Sequence, residues 1–307
     1  MKIVCTTVVR AAKPGDIHGG FYVIDTDTEE ILHYMEYDED FTNENERGGE
    51  RGLRGIAVLD DRIIVSNSTG FLELDRQTFE IKRSHKDESV LRSIHEICVF
   101  RDQIWATSTS YDAIACLDLD FNLKGFWEVL GESMQDHKVL TGLREIEPGG
   151  APVDDNYHIN SICSHSGRLV FSGLISCLYD FETMNAVGAM PMMPNRSKSF
   201  IHNFYKYDDM VLANLTSWSC LGISKDKDGN IFQFIKLPRM KKAVYHLDDI
   251  ATNNWNRGLA RSGDTVLVGS SPARILVYNI KTNEFEKEIQ LSDDIRHCVH
   301  GLEILED

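Results

Sequence analysis

The sequence predicts an all-β protein, a six-bladed β-propeller with four-stranded blades. One unit recurs along the chain, a short strand, a polar turn and a second strand that ends in small polar residues. Strand runs of four to eight residues follow each copy, and no segment has a convincing helical period. Successive copies start 41, 65, 42, 55 and 43 residues apart, which is a typical spacing for propeller blades.

The first complete copy is RGIAVLDDRIIVSNSTG, and GFLELD and FEIKRS follow it as third and fourth strands. Four further copies read HEICVFRDQIWATSTS, NSICSHSGRLVFSGL, HNFYKYDDMVLANLTS and RGLARSGDTVLVGSS. A sixth copy opens with HGLEILED at the carboxyl end of the chain. The six copies begin at Arg54, His95, Asn160, His202, Arg257 and His300.

The two ends of the chain complete one blade between them. KIVCTTVV (2–9) reads as the second strand of the sixth copy, with GGFYVIDTDTEE and ILHYMEY as its third and fourth strands. This pairing closes the ring and removes exposed sheet edges. We therefore expect one domain over residues 1–307. The longest interval contains residues 130–157, interpreted as an inserted loop or short helix on the face that carries the site.

Composition limits the classes of partner. The chain has 48 acidic and 32 basic side chains and a net charge of −16, which repels nucleic acids and anionic membranes. Seven cysteines form no CxxC pair and sit mostly in apolar runs, which favours a reducing compartment. The N-terminal apolar run is too short for a signal peptide, and no run of 18 apolar residues exists. We expect a cytoplasmic protein.

Polar residues open all six copies, where the first strands of a propeller line its central channel. Histidine stands at every second position, as His95, His202 and His300. Three neutral imidazoles that converge on one point suit a divalent metal with an open fourth position. Zinc is the first expectation, with iron, manganese or cobalt as alternatives. A solvated polar channel without metal is the competing interpretation.

Arginine and asparagine fill the positions between the histidines. Arg54 and Arg257 are candidate catalytic residues, which would bind a carboxylate or phosphate or stabilise developing negative charge. Ion pairing with acidic neighbours is the structural alternative. Asn160 could orient a ligand or cap its strand.

Loops between second and third strands add further candidates on the same face. Tyr111 is a candidate general acid or base, or part of the pocket wall. Three further residues are candidate substrate-binding groups: Trp218, Arg274 and His18.

This pattern resembles the catalytic core of the peptidyl-hydroxyglycine α-amidating lyases, six-bladed propellers that hold zinc with three histidines. The resemblance implies His95, His202 and His300 as metal ligands, with Arg54 and Arg257 in the arginine positions of that family. It covers the blade pattern of the whole chain and about five site residues. Asn160 stands where a tyrosine would fit the family, so the tyrosine would be Tyr111 or Tyr157.

These observations favour a metal-dependent enzyme, a lyase acting on a small anionic, hydroxylated substrate at the mouth of the channel. A metal-dependent hydrolase such as a lactonase is the enzymatic alternative. The non-catalytic alternative is a propeller that binds a protein or an anionic metabolite; WD and kelch signatures would favour it, and neither is present.

Overall fold

The structure is a computed structural model that describes most of the 307 residues. The described ranges are 1–13, 15–39, 52–134, 137–151, 156–175, 177–190, 201–207, 209–225, 232–240, 242–244 and 254–306.

Six antiparallel sheets form the predicted six-bladed β-propeller, and the described residues contain only short 3-10 turns besides strands. The first twelve strands are β1 (Lys2–Val9), β2 (Gly19–Asp25), β3 (Glu30–Tyr37), β4 (Ile56–Val58), β5 (Arg62–Ser66), β6 (Gly70–Asp75), β7 (Ile81–Lys86), β8 (Ile97–Phe100), β9 (Gln103–Ser108), β10 (Ala113–Asp118), β11 (Leu123–Met134) and β12 (His137–Glu145). The remaining strands are β13 (Ser161–His165), β14 (Arg168–Ser172), β15 (Cys177–Asp180), β16 (Ala186–Ala189), β17 (Ile201–Lys206), β18 (Val211–Leu215), β19 (Cys220–Ser224), β20 (Phe232–Lys236), β21 (Leu259–Ser262), β22 (Thr265–Ser270), β23 (Arg274–Asn279), β24 (Glu284–Gln290) and β25 (His297–Glu306).

The closing blade has the strand order β25-β1-β2-β3, which confirms the predicted pairing of the two chain ends. Strand β1 pairs antiparallel with β25, from Lys2 opposite Glu306 to Val9 opposite His297. Lys2 also forms an ion pair with Glu306, with 2.9 Å between Nζ and Oε2. The N-terminal strand is thereby a central strand of its sheet rather than an exposed edge.

The interpretation of 130–157 as a loop or short helix is wrong for much of its length. Strand β11 extends to Met134, and β12 covers His137–Glu145 as a fifth strand of the sheet β12-β11-β10-β9-β8. The two strands pair antiparallel from Trp127 opposite Glu145 to Met134 opposite His137. A long hairpin therefore extends this blade beyond the predicted four strands.

The chain divides into two compact units. The terminal unit consists of Met1–Ser84 and Leu237–Asp307, and the middle unit of His85–Lys236. Each unit has its own buried apolar clusters, such as that around Phe21 and Leu72 in the terminal unit and that around Phe171 and Trp105 in the middle unit. That the chain forms one domain stays a prediction.

The burial of the strands follows the apolar pattern of the sequence. Inner strands such as β9 and β22 are almost wholly buried, as expected for strands that are covered on both faces. Outer strands such as β7 alternate between exposed and half-buried residues, as expected for one solvated face. All seven cysteines lie in the described part of the chain, and none forms a disulfide. No described helix is long and apolar enough to span a bilayer.

Candidate metal centre

Three histidines of the middle unit converge. His95, His158 and His202 each offer a ring nitrogen, and these three atoms all lie within 4.8 Å of one another. The ring centroids of His95 and His158 lie 4.8 Å apart, and those of His95 and His202 lie 5.9 Å apart. His95 and His202 are buried, while His158 is half-buried and gives the group one more accessible side.

His95 lies two residues before β8, and its hydrogen bonds fix the tautomer of its ring. Nδ1 lies 2.9 Å from the carbonyl oxygen of Ser93 and 3.0 Å from the hydroxyl oxygen of Thr109. A carbonyl can only accept, so the Nδ1 proton points to Ser93 and the lone pair of the neutral ring is on Nε2. The Thr109 hydroxyl donates to the Ile159 carbonyl at 2.6 Å, which ties His95 to the segment that carries His158.

His202 is the second residue of β17, at a break in the strand register. The pairing of β17 with β18 is irregular between His202 and Tyr205, and Asn203 has a left-handed backbone with φ 49°. Such bulges bend a strand and redirect its side chains, and they occur often beside functional sites. Nδ1 of His202 lies 2.8 Å from the hydroxyl of Thr216, in the 3-10 turn after β18.

His158 owes its position to the carboxylate of Asp112. The backbone N–H of His158 donates to Oδ1 of Asp112 at 2.7 Å, and those of Asn156 and Tyr157 donate to Oδ2 at 2.6 and 3.0 Å. His158 has φ 50°, a left-handed conformation that costs free energy and needs such support. Gly173 packs closely on this segment, since a Cβ there would lie 2.3 Å from the Tyr157 carbonyl oxygen.

A buried polar network joins the residues next to His95 and His202. Glu96 Oε2 accepts hydrogen bonds from Tyr205 Oη at 2.6 Å and Asn203 Nδ2 at 2.7 Å. Burial raises the pKa of the Glu96 carboxyl to about 7, and these two hydrogen bonds oppose the rise. The network holds the start of β8 against β17, which fixes the spacing of the two histidines.

The donor set fits a tetrahedral transition-metal ion. Three nitrogens at about 2.1 Å from zinc lie about 3.4 Å from one another, so the three nitrogens, now within 4.8 Å, need to approach by about 1.4 Å or less. The Nδ1 contacts of His95 and His202 are those that commonly orient histidine ligands. The group could hold a metal ion, and imidazole nitrogen is a donor suited to transition metals rather than to calcium or magnesium.

The group contains His158, whereas the repeat pattern predicts His300 as the third ligand. His300 belongs to the terminal unit, where its Nε2 lies 2.9 Å from Nη1 of Arg257. Because a guanidinium can only donate, the lone pair on His300 Nε2 accepts this hydrogen bond. Arg54 is also buried in the terminal unit, and its carbonyl accepts a hydrogen bond from the Thr6 hydroxyl. The roles predicted for His300, Arg54 and Arg257 stay predictions.

Two predicted substrate-binding residues have extensive contacts within the terminal unit. Arg274 is fully buried and donates to Glu288 at 2.7 Å, to Asn254 at 2.5 Å and to the Pro238 carbonyl. His18 accepts from the Gly52 backbone N–H at 2.7 Å through Nδ1, and its Nε2 donates to the Glu39 carbonyl at 2.7 Å. Both side chains stabilise loops, and their predicted substrate contacts stay predictions.

The remaining predicted residues belong to the middle unit. Asn160 is buried, and its amide nitrogen donates to the Ile201 carbonyl at 2.8 Å, next to His202. Its amide oxygen has no hydrogen-bond partner among the described residues. Tyr111 is buried and donates to the Glu88 carbonyl at 3.0 Å. Trp218 packs on Phe234, with centroids 6.5 Å apart. Their catalytic or binding roles stay predictions.

His158 was missed because it lies outside the aligned repeat. The available signal was its place two residues before Asn160, in YHIN, where it precedes the first strand of a blade as His95 does. Its backbone is set by Asp112, 46 residues earlier in the chain, and no local pattern reveals that contact.

Comparison with known proteins supports the fold and assigns no family. No family model matches the chain, and a search of curated proteins found no match. A structure of the nidogen/laminin complex is similar with a TM-score of 0.58, 7% identity and coverage of 98% of this chain and 97% of that chain. A protein of unknown function from Bacteroides caccae has a TM-score of 0.54, 8% identity and coverage of 98% of both chains.

A catalytically inactive virginiamycin B lyase from Staphylococcus aureus, determined with quinupristin, is also similar. It has a TM-score of 0.51 and 12% identity, and the match covers 78% of this chain and 85% of that chain. At these identities the likeness shows a shared propeller fold alone. The resemblance to amidating lyases is confirmed for the fold and for the presence of a three-histidine group, and not for the lyase type.

Proposed function

We propose that the protein is a metal-dependent enzyme, a lyase acting on a small anionic, hydroxylated substrate, and that His95, His158 and His202 hold its metal. The observation that carries this proposal is the convergence of three imidazole nitrogens within 4.8 Å. Structural zinc sites fill all four positions with protein ligands, whereas three histidines leave one position for a reacting molecule. A three-histidine set is therefore characteristic of catalysis.

When bound, a divalent metal supplies a Lewis acid for a hydroxyl or carboxylate oxygen of the substrate. His95 and His202 form the buried wall of the site, and the half-buried His158 is its accessible side. We assign the buried amide oxygen of Asn160 to a substrate hydroxyl, because this atom has no hydrogen-bond partner among the described residues. The anionic class of substrate follows from the sequence pattern, in which Arg54 and Arg257 alternate with the histidines.

The test is the metal content of purified, untagged protein by elemental analysis. We expect about one transition metal ion per chain in the wild type and none in His202→Ala or His158→Ala, since two imidazoles hold zinc weakly. His165→Ala is the matched control, because His165 is a histidine of the same unit, on β13, outside the group.

A wild-type protein that retains no metal, even after incubation with zinc, iron and manganese, would overturn the proposal in favour of a binding propeller. Once metal is established, small hydroxy acids are the first substrates to assay. Reaction in ¹⁸O-labelled water separates the two enzymatic classes, because a hydrolase incorporates the label into product and an elimination does not.

A further inference from the structure

A buried arginine of the terminal unit, Arg10, has no acidic partner among the described residues. Arg10 follows β1 and is 5% exposed. Its guanidinium carbon lies 4.2 Å from the centroid of the Trp255 ring. Among the residues that the structure describes, Arg10 forms no ion pair, and its Nε is buried without a hydrogen-bond partner.

This arrangement is unusual for a buried arginine. Buried charges are ordinarily paired, because an unpaired one has lost its hydration without compensation. Stacking on an aromatic face recovers only part of that loss. The chain carries 48 acidic side chains, so carboxylate partners are abundant. A guanidinium buried without one of them is suited to an anion that comes from outside the chain.

Arg274 in the same unit shows the ordinary solution. It is fully buried, and it donates to the Glu288 carboxylate at 2.7 Å and to Asn254 at 2.5 Å. Arg101 of the middle unit stacks on Phe100 at 4.6 Å, much as Arg10 stacks on Trp255, but it is exposed and paired with Glu182 at 2.7 Å. Arg10 combines burial and stacking without the carboxylate that both of these have.

We propose that Arg10 and Trp255 form a binding site for a small oxyanion, a carboxylate or a phosphate group. The planar face of the guanidinium rests on the indole, which leaves its edge to bind two oxygens of one anion side by side. The proposal does not depend on the metal site of the middle unit.

The test is calorimetric titration of the wild-type protein with inorganic phosphate and with acetate, in a low-salt amine buffer, with sodium chloride at matched ionic strength as reference. We expect saturable binding of at least one of the two anions, and binding at least tenfold weaker in Arg10→Gln. Arg101→Gln should bind as the wild type does. Saturation by phosphate alone indicates a phosphorylated ligand, and saturation by acetate indicates a carboxylate.

Two further variants keep the result interpretable. Arg10→Lys retains the charge and the packed aliphatic stem but loses the bidentate donor, so we expect weaker anion binding. This variant tests the proposal if Arg10→Gln does not fold. Trp255→Phe retains a ring and removes the adjacent fluorophore, so an anion-dependent fluorescence change in the wild type should disappear there. Equal titration of wild type and the Arg10 variants, or no saturable heat beyond chloride in the wild type, would overturn the proposal. Unchanged metal content in Arg10→Gln distinguishes this outcome from failure of the metal site.

Discussion

His95 and His300 open equivalent copies of the repeat, yet their rings are used differently. Both are buried, at 8% and 4% exposure. His95 in the middle unit donates from Nδ1 to the Ser93 carbonyl, so its lone pair is on Nε2, and a nitrogen of its ring lies within 4.8 Å of ligand atoms on two other histidines. His300 in the terminal unit uses its Nε2 lone pair to accept a hydrogen bond from Arg257.

The difference shows that position in a repeat determines where a side chain lies, while its neighbours determine what it can bind. A metal ion and a guanidinium donor compete for the same lone pair of an imidazole. His95 has a carbonyl on the opposite nitrogen, which prepares the ring as a ligand. His300 has a cation against the nitrogen that a metal would need.

The largest expected difference is in zinc affinity, between the single variants His95→Ala and His300→Ala. His95→Ala should weaken zinc binding by more than about 100-fold, beyond the effect of losing an outer-shell partner, since it removes a ligand itself. His300→Ala should leave zinc affinity within about threefold of wild type, because its lone pair is engaged by Arg257. Competition titration with a chromophoric chelator measures both.

A large loss in His300→Ala together with little change in His158→Ala would restore the set of His95, His202 and His300 that the repeat predicts. Equal, small effects of His95→Ala, His158→Ala and His300→Ala would show that neither set of three histidines binds the metal. Circular dichroism of each variant checks that the propeller is folded.

The sequence predicted the fold because the repeat is local. Each copy carries two strands and a turn within about 17 residues, and the apolar alternation of each is visible without its partner strands. The closing blade followed from the incomplete sixth copy and the strand at residues 2–9. Strand β12 was missed because its segment, HKVLTGLRE, has mixed polarity and a central glycine, and it becomes a strand by pairing with β11.

The site was predicted in part. His95 and His202 were found because they stand at aligned positions, and the structure brings their ring nitrogens together. His158 was not found because its left-handed backbone depends on a carboxylate 46 residues away. The hydrogen bond of His300 to Arg257 was equally invisible, since both residues stand at aligned positions and nothing in the sequence shows which side chains contact.

A smaller effect on zinc affinity is expected for a substitution of Asp112, whose carboxylate holds the backbone of His158. Asp112→Asn keeps the size of the side chain but replaces one accepting oxygen with a donor, so at least one of the three backbone N–H groups loses its partner. Zinc affinity should fall about tenfold, at the lower end of the range for second-shell changes. The same chelator competition measures it.

Asp118→Asn is the matched control, because Asp118 also accepts backbone N–H groups, from Asp120 and Asn122, at the end of β10 in the same unit. It should change stability slightly and leave zinc affinity unaltered. If both variants lose affinity equally, Asp112 acts through general stability of the unit rather than through His158.

The smallest expected effect concerns His297, which lies three residues before His300 on β25. Its protonation state is determined by burial. Its Nε2 lies 2.9 Å from the Thr7 hydroxyl, and burial lowers the pKa of its ring to about 4, against a smaller opposite influence of Asp294. In the unfolded chain the His297 ring has an ordinary pKa near 6.5. Between pH 6.5 and pH 4 the ring is therefore protonated in the unfolded chain and neutral in the folded one. The contribution of a neutral His297 to stability is therefore complete above pH 6.5 and is lost as the pH falls towards 4.

Denaturant unfolding of wild type and His297→Gln at several pH values tests this. Glutamine keeps a nitrogen for Thr7 and does not titrate, so the wild type should lose roughly 1–2 kcal/mol more than the variant between pH 6.5 and pH 5. Parallel curves would mean that the His297 ring gains its proton without unfolding. In that case burial alone does not keep the His297 ring neutral, and His95, His300 and His297 differ only in their hydrogen-bond partners.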